Sequence, residues 1–93
     1  MPPDESAKAI VRIQNRLGLH ARPAMTFVDM ANGFECDIRV RKGDQVVDGK
    51  SIMQMMMLAA TQGTQLQVLA EGPGAMGAVA ALSELIEHRF DEE

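Results

Sequence analysis

The chain of 93 residues is 46% apolar and carries a formal net charge of −4, which leaves room for one small domain and not two. That acidic balance argues against a general nucleic-acid or acidic-lipid binder, since such proteins need a basic surface. The single cysteine, Cys36, excludes an internal disulfide framework and a multi-cysteine metal site.

The opening residues "MPPDESAK" lack the cationic-then-apolar order of a secretory signal. No apolar run approaches the roughly 20 residues that a membrane span needs. We therefore expect a cytoplasmic protein with no membrane insertion. Residues 1–6 read as a flexible acidic tail, 7–90 as one domain and the acidic residues 91–93 as a second short tail.

The first element is "KAIVRIQ", in which Ala9, Val11 and Ile13 alternate with Lys8, Arg12 and Gln14, the pattern of a strand with one buried face. A loop over 15–19 follows. From Ala21 the period lengthens: Ala21, Ala24, Met25, Val28 and Ala31 share one helical face, and Asn32-Gly33 offers a left-handed cap. "ECDIRVRK" alternates again, with Cys36, Ile38 and Val40 facing in, and "KGDQ" turns it into a short partner strand around 45–47.

"SIMQMMMLAA" reads as a short helix and "TQLQVLAE" as a fourth strand with Leu66, Val68 and Ala70 inward. After "GPG" a last helix carries the apolar stripe Ala75, Ala78, Val79, Leu82, Leu85 and Ile86, with Glu84, Glu87 and His88 in water. The order β-α-β-β-α-β-α, with one wet face on every strand, predicts an α+β fold: a four-stranded antiparallel sheet covered on one face by three helices, an open-faced β-sandwich.

His20 stands immediately before a helix whose third residue is Pro23, a place where proline is tolerated because first-turn N–H groups lack intrahelical acceptors. Such a helix start attracts anions, phosphate among them. Arg22 adds a cation whose fork suits phosphate oxygens. An imidazole nitrogen placed there can attack phosphorus. His20 is thus a candidate nucleophile that carries a phosphoryl group, with Arg22 and the backbone around Gly18 and Ala21 as the phosphate-binding set, and it should be exposed. A solvated surface histidine at a helix start fits the same few residues.

Gly49-Lys50-Ser51 does not make a P-loop, because the required glycine at position 44 is Asp44. Ser51 and Gln54 instead form a capping box, so Ser51 is an N-cap whatever else it does. The helix behind it is apolar nearly all round. We expect Met53, Met56 and Met57 to form an exposed patch, with Ile52, Met55 and Leu58 facing mainly inward; a methionine-rich core is the other reading. Cys36 reads as a core residue. His88 has no second ligand near it in sequence, and neither a metal nor a cofactor is assigned.

"GLHARPA" at 18–24 and "GKSIM" at 49–53 resemble the two signatures of the HPr family, the histidine phosphocarriers of the bacterial sugar phosphotransferase system. The resemblance spans roughly residues 8–90 and includes the order of elements. It implies that His20 accepts a phosphoryl group on Nδ1, its pros nitrogen, from Enzyme I and passes it to EIIA domains, with Arg22 on the phosphate. This makes the chain a covalent carrier in place of a conventional enzyme.

The resemblance also implies that Ser51 is the serine modified by HPr kinase/phosphorylase, and that Ile52, Met53 and Met56 belong to an apolar docking patch, to which the exposed Met57 is added here. A transcriptional regulator is a further implied partner, nucleic acid is not, and a monomer is expected. The chain departs from the family in a longer acidic N-terminal extension and in Gln54, where glycine is frequent. Two other readings stand beside the carrier: a regulatory binding module governed by phosphorylation, and the nitrogen-related branch of the same system.

Overall fold

A computed structural model of the chain describes residues 5–91. In chain order it contains β1 (Ser6–Arg12), α1 (Ala21–Ala31), β2 (Asp37–Lys42), β3 (Gln45–Asp48), α2 (Ile52–Met57), β4 (Gln65–Glu71), α3 (Ala75–Glu87) and a closing 3-10 turn, Arg89–Asp91. The four strands form one sheet in the order β1-β4-β2-β3, and every neighbouring pair is antiparallel.

The register follows the alternation in sequence. Ala9 faces Val68, Val68 faces Val40 and Val40 faces Val47, so one row of aliphatic side chains crosses all four strands on the helix-covered side. The next row, Lys8, Leu69, Arg39 and Asp48, points to the uncovered side. The fold is the expected open-faced sandwich, with α1, α2 and α3 on one face.

Its boundaries differ in ways that pairing explains. The first strand was expected over 8–14, but β1 begins at Ser6, opposite Glu71, and its ladder ends at Arg12 opposite Gln65. Ile13 remains inward and 1% exposed, yet it now exchanges hydrogen bonds with the turn before β4, donating to Thr64 and accepting from Gly63. Of the two expected tails, Glu5, Ser6 and Asp91 are described. The Glu5 carbonyl accepts from the Gly72 N–H at 2.7 Å, Ser6 lies in β1 and Asp91 in the closing turn. Residues 1–4 and 92–93 lie outside the described residues.

Helix α1 starts and stops where expected but presents a rotated face. It buries Pro23, Ala24, Phe27, Val28 and Ala31, whereas Met25 is 55% exposed and Ala21 is also outside. Phe27, the largest side chain available, takes the centre of the stripe. The left-handed cap expected at Asn32-Gly33 is absent: Asn32 keeps φ −69°, and its Nδ2 donates back to the Val28 carbonyl at 2.9 Å. The Asn32 side chain adds to the backbone bond that its own N–H gives the same carbonyl at 2.9 Å.

The stripe of α3 is buried throughout as read from sequence. The chain then turns sharply through positive φ at Arg89, Phe90 and Asp91, which returns Phe90 to the core at 6% exposure.

Candidate functional site

The segment leading to α1 is closed on itself. Asn15, fully buried, donates from Nδ2 to the Gly18 carbonyl at 2.6 Å, while the Gly18 N–H donates to the Asn15 carbonyl at 3.1 Å. Gly18 has φ +70°, and a Cβ there would lie 2.6 Å from the Ala60 carbonyl oxygen. Only glycine meets both demands. Beside it the Leu19 N–H donates to that same Ala60 carbonyl at 2.8 Å, and Leu19 is buried. The loop is therefore pinned to the chain that follows α2.

This anchoring delivers His20 to the cap position of α1 in an extended conformation, φ −82° and ψ −173°. Its carbonyl accepts the first helical bond, from the Ala24 N–H at 3.0 Å, but its side chain does not cap the helix. The N–H groups of Ala21 and Arg22 accordingly have no acceptor inside the helix, and Pro23 contributes none. Nothing in the first turn is acidic. His20 is half-buried, where full exposure was expected; the Arg22 residue is exposed.

The set His20, Ala21 and Arg22 is thus brought together at one helix start. Gly18 is adjacent, but its own N–H is already donated to Asn15. Its visible contribution is the shape of the loop.

The second candidate lies at the start of α2. Ser51 is half-buried, and its Oγ accepts from the Gln54 N–H at 3.2 Å. The reciprocal half of the expected capping box goes elsewhere: Gln54 Oε1 accepts from the Asp48 N–H at 2.9 Å and ties α2 to β3. At the other end of α2, Lys42 Nζ donates to the Leu58 carbonyl at 2.7 Å and Gln45 Nε2 to that of Met57 at 3.3 Å. A helix of one and a half turns is stable here because its carbonyls have side-chain partners at its end.

Two neighbours of Ser51 carry structural tasks that sequence reading missed. A Cβ on Gly49 would come within 2.7 Å of Ile38 Cγ2, so the turn from β3 into α2 can lie against β2 only without a side chain. Lys50 Nζ donates to the Phe34 carbonyl at 2.6 Å. A glycine between a strand and a helix was the available signal; its close packing partner was not.

Helices α1 and α2 run antiparallel. Asn32 at the end of α1 reaches the Lys50 carbonyl before α2, and Leu19 before α1 reaches Ala60 beyond α2. The His20 end of α1 therefore adjoins the Met57 end of α2. On α2, Met53 and Met57 are 77% and 65% exposed and Met56 is 40% exposed, while Met55 and Leu58 are buried and Ile52 packs partly against the core. The outward and inward sets are those expected from the sequence. Met25 of α1, assigned inward from its spacing, joins the outward set.

Among the described residues no group of three histidine, cysteine or acidic side chains is placed to hold a metal, and no helix is long and apolar enough to cross a membrane. Cys36 is buried.

Residues 7–88 match the family model described as the PTS HPr component phosphorylation site. The phosphocarrier protein HPr of Pseudomonas aeruginosa is 52% identical over 83 residues, covering 88% of this chain and 92% of that protein. The phosphocarrier protein NPr of Escherichia coli is 35% identical over 89 residues, covering 95% of this chain and 99% of that protein. A crystal structure of HPr from Thermoanaerobacter tengcongensis superposes with a TM-score of 0.90 at 42% identity, covering 94% of this chain and 98% of that one. A second structure from that organism, described as an HPr dimer, matches with a TM-score of 0.75 at 44% identity, over 88% of this chain and 94% of that one.

Proposed function

This chain belongs to the HPr family of phosphocarriers of the phosphotransferase system, and from that premise we propose that His20 is its phosphoryl acceptor, loaded by Enzyme I and discharged to EIIA domains. The observation that carries the reading is the start of α1. A histidine occupies the cap position without capping, leaves two helix N–H groups unengaged within the helix and has an exposed arginine two residues on.

In the loading step the imidazole nitrogen of His20 attacks phosphorus as the bond from phosphorus to the donor breaks. By family resemblance that nitrogen is Nδ1. Charge on the three equatorial oxygens is met by the Ala21 and Arg22 N–H groups, by the helix dipole and by the Arg22 guanidinium. Discharge runs the same displacement in reverse, so the site must hold the group without enclosing it. A half-buried histidine on an anchored loop suits this. No cofactor or metal enters the step.

Ile52, Met53, Met56 and Met57 form the docking surface beside it, where apolar, deformable thioethers can meet Enzyme I and EIIA in turn. One carrier face used by successive partners needs no second copy, so the working unit is a monomer acting in the cytoplasm. Phosphorylation of Ser51 by HPr kinase/phosphorylase would add about 1.5–2 negative charges at the edge of this patch. That would alter partner choice, including that of a transcriptional regulator, without refolding the domain. The nitrogen-related branch is the second reading; the higher identity to an HPr than to an NPr favours the sugar branch.

The test is intact-mass spectrometry after incubation with phosphoenolpyruvate and Enzyme I, followed by acid, which hydrolyses phosphohistidine and spares phosphoserine. One acid-labile phosphoryl group, absent from His20→Ala, is the expected result. Equal loading of His20→Ala would overturn the assignment, and efficient loading only by the nitrogen-branch Enzyme I would move the chain to that branch.

A further inference from the structure

Eight of the 93 residues are methionine. Among the described ones Met53 stands at 77% exposure, Met76 at 67%, Met57 at 65%, Met25 at 55% and Met56 at 40%, whereas Met55 on the same short helix as Met53, Met56 and Met57 is at 1%. We propose that Met25, Met53, Met56 and Met57 form a reversible oxidation site, and that their sulfoxides switch off docking at the His20 face. The inference rests on the docking role proposed above for this patch and adds a regulation of it.

The chemistry needs a peroxide. A thioether lone pair attacks one oxygen of hydrogen peroxide and the O–O bond breaks. Sulfur is oxidised by two electrons to the sulfoxide, and the departing hydroxide takes the proton from the transferred oxygen and leaves as water. Methionine sulfoxide reductases reverse the step with two electrons and two protons from a dithiol, releasing water. The product replaces an apolar, pliable side chain with a strong hydrogen-bond acceptor. A partner that buries an apolar surface offers that acceptor no donor, and an unsatisfied buried polar group opposes association.

The structure directs the oxidant to this face. The core methionine, Met55, is shielded and the lone thiol, Cys36, is at 1% exposure, so neither competes. Met76 supplies an internal control. It follows Gly74, whose N–H donates to the Glu5 side chain just before β1 begins, whereas the His20 loop leaves the other end of β1. Seven strand residues separate those ends by roughly 20 Å. Oxidation of Met76 therefore does not touch the docking face.

The experiment treats the whole protein with hydrogen peroxide, maps sulfoxides by peptide mass spectrometry and measures the initial rate of phosphoryl acceptance from Enzyme I. Sulfoxides are expected first at Met53, Met76 and Met57, with a rate loss of about fivefold or more that reductase and dithiothreitol reverse. In parallel, the quadruple variant Met25→Leu/Met53→Leu/Met56→Leu/Met57→Leu and the double variant Met53→Leu/Met57→Leu are each compared with their own untreated rate. Leucine keeps the volume but cannot be oxidised. Treatment is expected to leave the quadruple variant's rate where it was even as Met76 is oxidised, and to lower the double variant's less than that of the wild type.

Wild type that carries the sulfoxides and keeps its rate overturns the proposal. So does an equal loss in the quadruple variant, which would place the damage elsewhere. A treated wild type that has lost its thermal unfolding transition overturns it as well, since unfolding and not docking would explain the loss. If untreated wild type accepts nothing from Enzyme I, the carrier reading itself has failed and the switch falls with it.

Discussion

At the start of α1 the cap residue is His20, whose side chain leaves the helix amides uncapped; at the start of α2 it is Ser51, whose Oγ accepts from the Gln54 N–H at 3.2 Å. Both residues are extended, with φ −82° and φ −113°, and both precede helices without an acidic first turn. They differ in what the helix amides do. Those of α2 are partly satisfied from within the chain, so Ser51 stabilises its own helix. Those of α1 receive no bond from the cap side chain. A helix start that caps itself is a structural element, and one that does not can receive an anion.

The contrast can be attacked first through the loop that keeps α1 open. Gly18→Ala should cost about 2–4 kcal/mol, since it combines a left-handed backbone with a clash against backbone atoms. Urea unfolding would show this as a lowered midpoint, and phosphoryl acceptance should fall with it. Wild-type stability in Gly18→Ala would mean that the Ala60 contact does not hold the loop.

Next in size is Arg22→Ala, for which we expect transfer from Enzyme I about tenfold slower or worse, without a change in the unfolding midpoint. Rapid-quench kinetics would check it. An unchanged rate would leave the backbone amides as the sole phosphate contacts.

The two caps can then be exchanged in kind. Ser51→Ala should lose about 1 kcal/mol of stability, and His20→Ser should be more stable than His20→Ala by a similar amount, because serine closes what histidine leaves open. Paired thermal melts read both differences. Neither His20 variant should take an acid-labile phosphoryl group. If serine at position 20 stabilises nothing, the α1 amides are satisfied in some other way and the contrast collapses.

The smallest effect is at the far end of α2. Lys42→Met removes the Nζ bond to the Leu58 carbonyl and should cost about 0.5–1 kcal/mol. Hydrogen exchange of the α2 amides would show the helix fraying before the domain unfolds.

Much of this was legible in the chain. Alternation fixed the inward faces of β2 and β4 because a one-sided sheet leaves a period of two in the residues it buries. Ser51 and Gln54 announced the α2 cap, and the inward and outward methionines of α2 separated correctly.

What sequence could not show were the features set by partners distant in the chain. The limits of β1 depend on where β4 ends. The buried face of α1 turned toward Phe27 because the core needed that ring more than Met25. Gln54 left Ser51 for the Asp48 N–H, a choice visible only once β3 lay beside α2. Gly49, in a Gly-Lys-Ser run that makes no P-loop, proved to be a close approach to Ile38. Phe90 reaches the core through three consecutive positive-φ residues, for which no turn chemistry gives notice.

The hydrogen bond from Leu19 to Ala60 also sets the order in which the protein becomes competent as it is made. The histidine leaves the ribosome early, but the carbonyl that positions its loop is synthesised much later, and β1 has no strand beside it until β4 emerges. At translation speeds of roughly 5–20 residues per second, that interval lasts on the order of seconds. During it, His20 exists without its site. A nascent or truncated chain that ends before β4 carries His20 but not the loop geometry through which it is proposed to act.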